Sequence, residues 1–295
     1  MIRTGIFLIG LLVALPAWGQ KDIAVSTKTQ GEVRLKRVDA EDFNVDLEIG
    51  TNIQNQDNIR TGEDGFGVVV FLDDKSQLKI QSNSEVEIQG KSASDARAMA
   101  KEIRLGTGKL KAEISEQREG EFVVATPTSV AAVKGTVFWI LVNPASGDRL
   151  VVESGSVLLT NRSTGDSVIV GENETGRSSQ QGDLGVAANL KIRGEVRGFS
   201  PNTSLTLSNV SIISGETPEG VSIEGTEAFT VSLDQFSTIE GENPSNGDQV
   251  TVTGELHSDG EFLAYVIGVS GKVRELEIPF ENEDGERKTL KIRYK

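Results

Sequence analysis

Short runs in which apolar and polar residues alternate, cut by glycine- and aspartate-bearing breaks, constrain this chain more than any other feature. Gln77-Leu78-Lys79-Ile80-Gln81 and Glu85-Val86-Glu87-Ile88-Gln89 both alternate with a period of two, so each presents one buried face as a strand. The signature returns in Gly108-Lys109-Leu110-Lys111-Ala112-Glu113-Ile114. Thr136-Val137-Phe138-Trp139-Ile140-Leu141-Val142 is apolar nearly throughout and reads as a central strand buried on both faces. Arg149–Glu153 and Ser156–Thr160 flank Ser154-Gly155, which predicts a tight hairpin. One stretch breaks the pattern: Ser92 to Lys101 carries four alanines and is expected to be a short helix or loop inserted between strands, with Ser92 or Ser94 as its cap. Gly at 32 residues against Pro at 7, with Val, Ile and Thr in short runs, agrees with strands joined by turns.

Composition excludes several chemistries. The chain has 295 residues, enough for two domains with separate cores. The sequence contains no cysteine, so it has no disulfide, thiolate metal site or thiol nucleophile. A single histidine, His257, excludes a multi-histidine metal site and argues against histidine-based catalysis; it falls at an expected hairpin tip. The acid pairs Asp73-Asp74 and Glu283-Asp284 fall in turns, and neither fits the spacing of an EF-hand loop. Phosphate-cradling loops, dinucleotide fingerprints and nucleophile elbows are all missing from the sequence. No catalytic, cofactor-binding or metal-binding residue is therefore expected. The formal charge of -14 repels phosphate backbones, which argues against nucleic acid as a partner.

Residues 1–19 carry the marks of a cleavable export signal. Arg3 supplies a positive start, Ile6 to Leu15 an apolar stretch shorter than the ~20 residues a spanning helix needs, and Ala17-Trp18-Gly19 a small-residue cleavage site. The mature protein is expected in the periplasm or outside the cell, without a membrane span.

Toward the C-terminus, residues 181–189 belong to a polar, glycine-bearing stretch expected to be a linker. Five strand-like runs follow over residues 190–270: Leu190–Arg197, Ser204–Leu207, Ala228–Val231, Gln249–Leu256 and Phe262–Ile267. That number in that length predicts a small OB-like barrel or sandwich. Residues 271–295 alternate at Leu276, Ile278 and Phe280 and again at Leu290, Ile292 and Tyr294, which predicts a terminal hairpin able to add to a sheet or meet a partner.

An ordered set of motifs in residues 20–180, among them Asp57-Asn58-Ile59-Arg60-Thr61-Gly62, Phe122 to Pro127 and Val133 to Phe138, resembles the FecR domain family. Asp57-Asn58-Ile59-Arg60-Thr61-Gly62 resembles its "G-D-x-I-R-T-G" signature, with Gln56 in place of the first glycine. Phe71-Leu72-Asp73-Asp74-Lys75-Ser76 is similar to the "L-x-D-G-S" turn, with Lys75 where glycine is common. Phe122 to Pro127 and Val133 to Phe138 resemble the "V-x-T-P" and "V-R-G-T-x-F" pair, and Val152 to Val157 the "V-x-E-G-x-V" hairpin. Val170-Gly171-Glu172 is similar to the closing "A-G-E". The resemblance implies an all-β, periplasmic fold of stacked or solenoid-like strands.

The motif residues carried over are Arg60, Thr61, Gly62, Thr126, Pro127, Lys134, Gly135, Thr136, Phe138 and Gly155, expected to fix turns and strand register. Arg60 and Lys134 are expected to pair with carboxylates such as Glu153 or Asp57. The family's founding role is iron-citrate signalling, in which the domain passes an outer-membrane signal toward a sigma factor. The sequence supports one main reading of function, given first, and two alternatives to it. The first is a non-enzymatic module binding a protein or envelope glycan. The second is a signalling component working with a separate membrane anti-sigma partner. The third is an exported glycan-active enzyme.

Overall fold

A computed structural model of the protein describes residues 22–92, 99–116, 122–270, 274–281 and 287–294. The expected export signal lies outside them. Every described element is a strand. In chain order these are β1 (Asp22–Gln30), β2 (Val33–Lys36), β3 (Val45–Asp46), β4 (Asn52–Gln54), β5 (Asp57–Thr61), β6 (Phe66–Phe71), β7 (Gln77–Ile80), β8 (Glu85–Ser92) and β9 (Met99–Glu113). Then come β10 (Phe122–Ala125), β11 (Ser129–Val133), β12 (Val137–Asn143), β13 (Gly147–Ser154), β14 (Ser156–Asn161), β15 (Ser167–Gly171), β16 (Glu174–Ser178) and β17 (Leu184–Ala188).

These seventeen strands form two stacked sheets that share β9. One sheet runs β4-β1-β6-β7-β9-β12-β13-β16-β17 with antiparallel pairing at every step. The other runs β3-β2-β5-β8-β9-β10-β11-β14-β15, with a parallel step from β9 to β10. The first part of β9 pairs with β8 and β10, and its last six residues pair with β7 and β12. The strand changes sheets at Gly108, whose φ of +98° suits glycine and whose missing Cβ leaves room for Ser84: an added carbon would lie 2.2 Å from the Ser84 hydroxyl. The alternating runs point inward as expected, and Leu78, Ile80, Val86, Ile88, Leu110 and Ala112 lie in one core between the sheets.

The stretch from Ser92 to Lys101 is corrected in part. Met99, Ala100 and Lys101 are extended in β9, paired with Ser92, Lys91 and Gly90, so no helix forms there. Residues 93–98 of that stretch lie outside the described residues. The expected linker also differs, because Leu184–Ala188 is strand β17, paired along its length with β16. Its backbone pairs with β16 along its length, and Leu184 packs against the core between the sheets. Only Asn189 separates it from the next strand.

The C-terminal part contains β18 (Leu190–Ser200), β19 (Ser204–Ser214), β20 (Phe229–Ser232), β21 (Thr238–Glu240), β22 (Gln249–Leu256) and β23 (Phe262–Val269). Pairings β18–β19, β19–β20, β20–β23, β23–β22 and β22–β18 close a small five-strand barrel. The β20–β23 pair is parallel, and β21 adds to β23 outside the ring. Its own core includes Ile192, Leu205, Leu207, Val231, Val252 and Phe262. The terminal hairpin is present as β24 (Arg274–Glu281) and β25 (Arg287–Tyr294), paired in full register. The Glu283-Asp284 turn falls outside the described residues.

The two departures from the family signature have a backbone counterpart. Gln56 and Lys75 stand where the family commonly has glycine, and both adopt left-handed backbone, with φ of 67° and 65°. A side chain in that region costs roughly 1–2 kcal/mol, of which glycine's greater freedom in the unfolded chain takes back about 0.4–1 kcal/mol. Gln56→Gly and Lys75→Gly are each expected to stabilise the fold by about 0.5–1 kcal/mol, read from urea unfolding midpoints.

Candidate functional site

Strand β12 sets up the most distinctive feature of the molecule. Its alternate residues Phe138, Ile140 and Val142 enter the core between the two sheets. Trp139 and Leu141 point the other way and, with Val151 of β13, pack against Phe236, Tyr265 and Val266 of the barrel. Trp139, Leu141, Val151 and Tyr265 are all fully buried. The outer face of one sheet and the side of the barrel thus meet in an apolar seam with a core of its own.

Charge surrounds that core in a complementary way. The β-pleat brings Lys79, Lys111, Trp139 and Val151 into one row across β7, β9, β12 and β13, and Lys109, Leu141, Arg149 and Arg177 into the next. An acidic chain therefore gathers five cations on one sheet face. The Lys111 ammonium lies 3.0 Å from Glu153 and 3.1 Å from Glu240 of β21. Glu153 also accepts the Trp139 indole N–H at 2.8 Å. Burial works against the Lys111 charge, but Glu153 and Glu240 outweigh it and hold its pKa above the usual lysine value. Lys79 contacts Glu113 at 2.5 Å and Glu240 at 3.6 Å. Arg177 pairs with Glu255 and donates to the Tyr265 hydroxyl, which itself donates to Glu255 at 2.8 Å. Lys109 donates to the Ser237 carbonyl, and burial lowers its pKa. Asn143 and Ser146 hold the Gln235 side chain at 2.7 and 3.0 Å.

The family-motif residues lie in the two-sheet body: Arg60 and Thr61 end β5, Phe138 is in β12, and Gly62, Thr126, Pro127, Lys134, Gly135, Thr136 and Gly155 lie between strands. Arg60 is exposed, stacks 3.9 Å from the Phe43 ring and pairs with Glu85 at 2.8 Å, not with Asp57 or Glu153 as expected. Asp57 instead binds Arg37 at 2.5 Å and the Gln54 amide at 2.8 Å; burial nonetheless pushes its carboxyl up. Lys134 and Pro127 are exposed. Thr61 donates to the Gln81 carbonyl at 2.6 Å, and the Gly62 amide donates to Glu32 at 2.8 Å.

Gly135 and Gly155, far apart in sequence, meet in space. Gly155 has φ of +86°, and a Cβ there would lie 2.8 Å from the Gly135 carbonyl. The adjoining Thr136 hydroxyl donates to Ser156 at 2.9 Å, and Phe138 is buried below. His257 sits exposed at the barrel hairpin tip. Among the described residues no group of three histidine, cysteine, aspartate or glutamate side chains is placed to hold a metal ion.

Thr126 belongs to a buried polar cluster that includes a residue outside the motifs. Asp148 of β13 accepts from the Ser129 hydroxyl at 2.6 Å and from that of Thr126 at 2.5 Å. Burial pushes the Asp148 carboxyl above its ordinary 3.8, against the pull of the two hydroxyls. The folded state then holds this proton to higher pH than the unfolded chain does. Its contribution is most favourable below 3.8 and is lost as pH rises through the raised value. Asp148→Asn should accordingly gain stability relative to the wild type between pH 4 and pH 7, measured by paired urea titrations. A wild-type-to-variant difference that stays constant with pH would refute this.

The fold and seam define an all-β scaffold made of a two-sheet body joined to a closed barrel. Residues 57–158, from β5 to β14, match the FecR protein family, so the chain carries a FecR domain there. Two crystal structures of proteins provisionally described as anti-sigma factors from Parabacteroides distasonis ATCC 8503 are similar to part of the chain. One has 13% identity and a TM-score of 0.37, the other 15% and 0.38. Each comparison covers 44% of this chain and 59% of the other, so the chain spans less than two thirds of their length. No curated protein matches the chain.

Proposed function

We propose that this is an exported, non-enzymatic protein-binding component of a cell-surface signalling relay, working with a separate membrane anti-sigma partner. The observation that carries the reading is the FecR match across β5–β14. The strands it spans form the middle of the two-sheet body and include β12, whose outer face grips the barrel. A scaffold with an internal core and a locked appendage suits a rigid adaptor, because binding then costs little ordering entropy. Among the described residues no helix is long and apolar enough to cross a membrane, which fits a partner supplying the membrane link.

The C-terminal unit is read as an OB-type barrel, since its strands close in the order first, second, third, fifth, fourth. The domain division follows: a FecR-type body up to about residue 188, a barrel over 190–270 and a terminal hairpin. A protein partner is favoured over a glycan. A glycan-active enzyme needs two carboxyls sharing a cleft. Asp57 and Asp148, two carboxyls raised by burial, instead sit in separate clusters with Arg37 and with Thr126 and Ser129. Transcript profiling of a deletion strain tests the relay: a change confined to promoters of one sigma factor is expected, and an unaltered transcriptome defeats the reading.

A further inference from the structure

Among the described residues the seam leaves two cations without an ion pair: Lys109, which donates to the Ser237 carbonyl, and Arg149. Arg149 and Arg177 are directly opposed across β13 and β16, a placement that ordinarily destabilises a sheet. Arg177 is compensated by Glu255. Among the described residues Arg149 has no ion pair; its guanidinium sits 4.5 Å from the Phe236 ring centroid. Its Nε–H and that of Arg177 are buried without a hydrogen-bond acceptor. Burial and the neighbouring Arg177 charge both disfavour its ionised form, although Tyr265 and Asp234 support it.

Beside this pair lies a cleft of about 300 Å³, lined by Ser146, Arg149, Arg177, Ser179, Asp183 and Gly185 among others. The acids nearby are engaged elsewhere. Asp183 accepts from the Ser179 hydroxyl at 2.8 Å, and Asp234 accepts from the Phe236 and Ser237 amides at 2.8 and 3.1 Å. Glu255 is held by Arg177 and Tyr265.

We propose that this cleft is a binding site for a small oxyanion, a carboxylate or phosphate group, held by the guanidinium of Arg149 with the Ser146 hydroxyl beside it. A planar fork of N–H donors matches either group in bidentate fashion. Such a ligand would supply the negative charge that Arg149 lacks, and it would tie β13 to the barrel through Phe236. The inference stands apart from the relay reading, because it rests on local charge and shape alone.

Calorimetric titration of the full chain at fixed pH and ionic strength tests it. Sodium phosphate is the probe in one arm and sodium acetate in the other; the arm that saturates identifies the group. Saturable binding is expected in at least one arm. Arg149→Gln should weaken it about tenfold or more, as for loss of a charged hydrogen-bond donor. Arg149→Lys keeps the charge without the fork and should fall between. Asp183→Asn, on an exposed turn, removes the competing carboxylate and should tighten binding about threefold, a modest electrostatic gain. Absence of saturation in both arms overturns the proposal, and so does equal affinity in a folded Arg149→Gln protein. If Arg149→Gln does not fold, an unchanged affinity in Asp183→Asn overturns it.

Discussion

Trp139→Ala is expected to destabilise the protein by about 3–5 kcal/mol and to give two calorimetric transitions where the wild type is expected to give one. The size follows from the loss of a large, fully buried aromatic side chain with little chance for its surroundings to close over the cavity. The splitting follows from where the ring sits. Trp139 belongs to neither main core; it packs with Leu141 and Val151 on one side and Phe236, Tyr265 and Val266 on the other. The two-sheet core and the barrel core each keep their own residues in the variant. What is lost is the contact that makes them melt together. Trp139→Phe separates packing from hydrogen bonding, because it retains most apolar contact and loses only the N–H that meets Glu153 at 2.8 Å. About 1 kcal/mol is expected for that change, since Glu153 keeps Lys111 as a partner. A Trp139→Ala protein that still melted in one transition at the wild-type temperature would show that the seam does not couple the two bodies.

Much of this architecture was legible as alternation. Lys79 and Lys111 flank core leucines and isoleucines on strands whose period of two the sequence displays openly, and Thr136–Val142 announced a strand buried on both sides. The five barrel strands were equally plain. Harder to see was what the second face of β12 would bury. Nothing local distinguishes Trp139 facing a barrel from Trp139 facing a third sheet. A usable signal did exist, namely that Lys79, Lys109 and Lys111 place positive charge on one sheet face in a chain of net charge -14. Such a face asks for an acidic neighbour, and Glu240 and Glu255 provide one.

Strand β17 escaped because Leu184-Gly185-Val186-Ala187-Ala188 is short, weakly apolar and largely exposed. Its ladder bonds to β16 are something periodicity cannot report. The Arg60–Asp57 pairing failed for a geometric reason. Residues three apart in one strand point to opposite faces, so the exposed Arg60 cannot reach the buried Asp57, and Glu85 on β8 is the carboxylate directly across the ladder.

Neutralising both Asp73 and Asp74 with asparagine is expected to cost about 3–5 kcal/mol, more than removing the cation they bind. Lys101 on β9 has a side chain with 0% exposure, while those of Asp73 and Asp74 retain 20% and 17%. Its ammonium lies 2.8 and 2.7 Å from the two carboxylates and 5.2 Å from the Phe71 ring centroid. The turn between β6 and β7, which carries one of the family motifs, is thereby bolted to a strand about thirty residues on. Removing the acids strands a fully desolvated charge, the costly half of any buried pair. Lys101→Met removes that charge, keeps a stem of similar length against Phe71 and leaves two carboxylates that water still reaches; about 1–2 kcal/mol is expected for it. The ordering is the sharp test, because a simple count of ion pairs assigns both variants the same loss. Urea unfolding at neutral pH that placed Lys101→Met below the double asparagine variant would mean the carboxylates, not the lysine, carry the desolvation penalty.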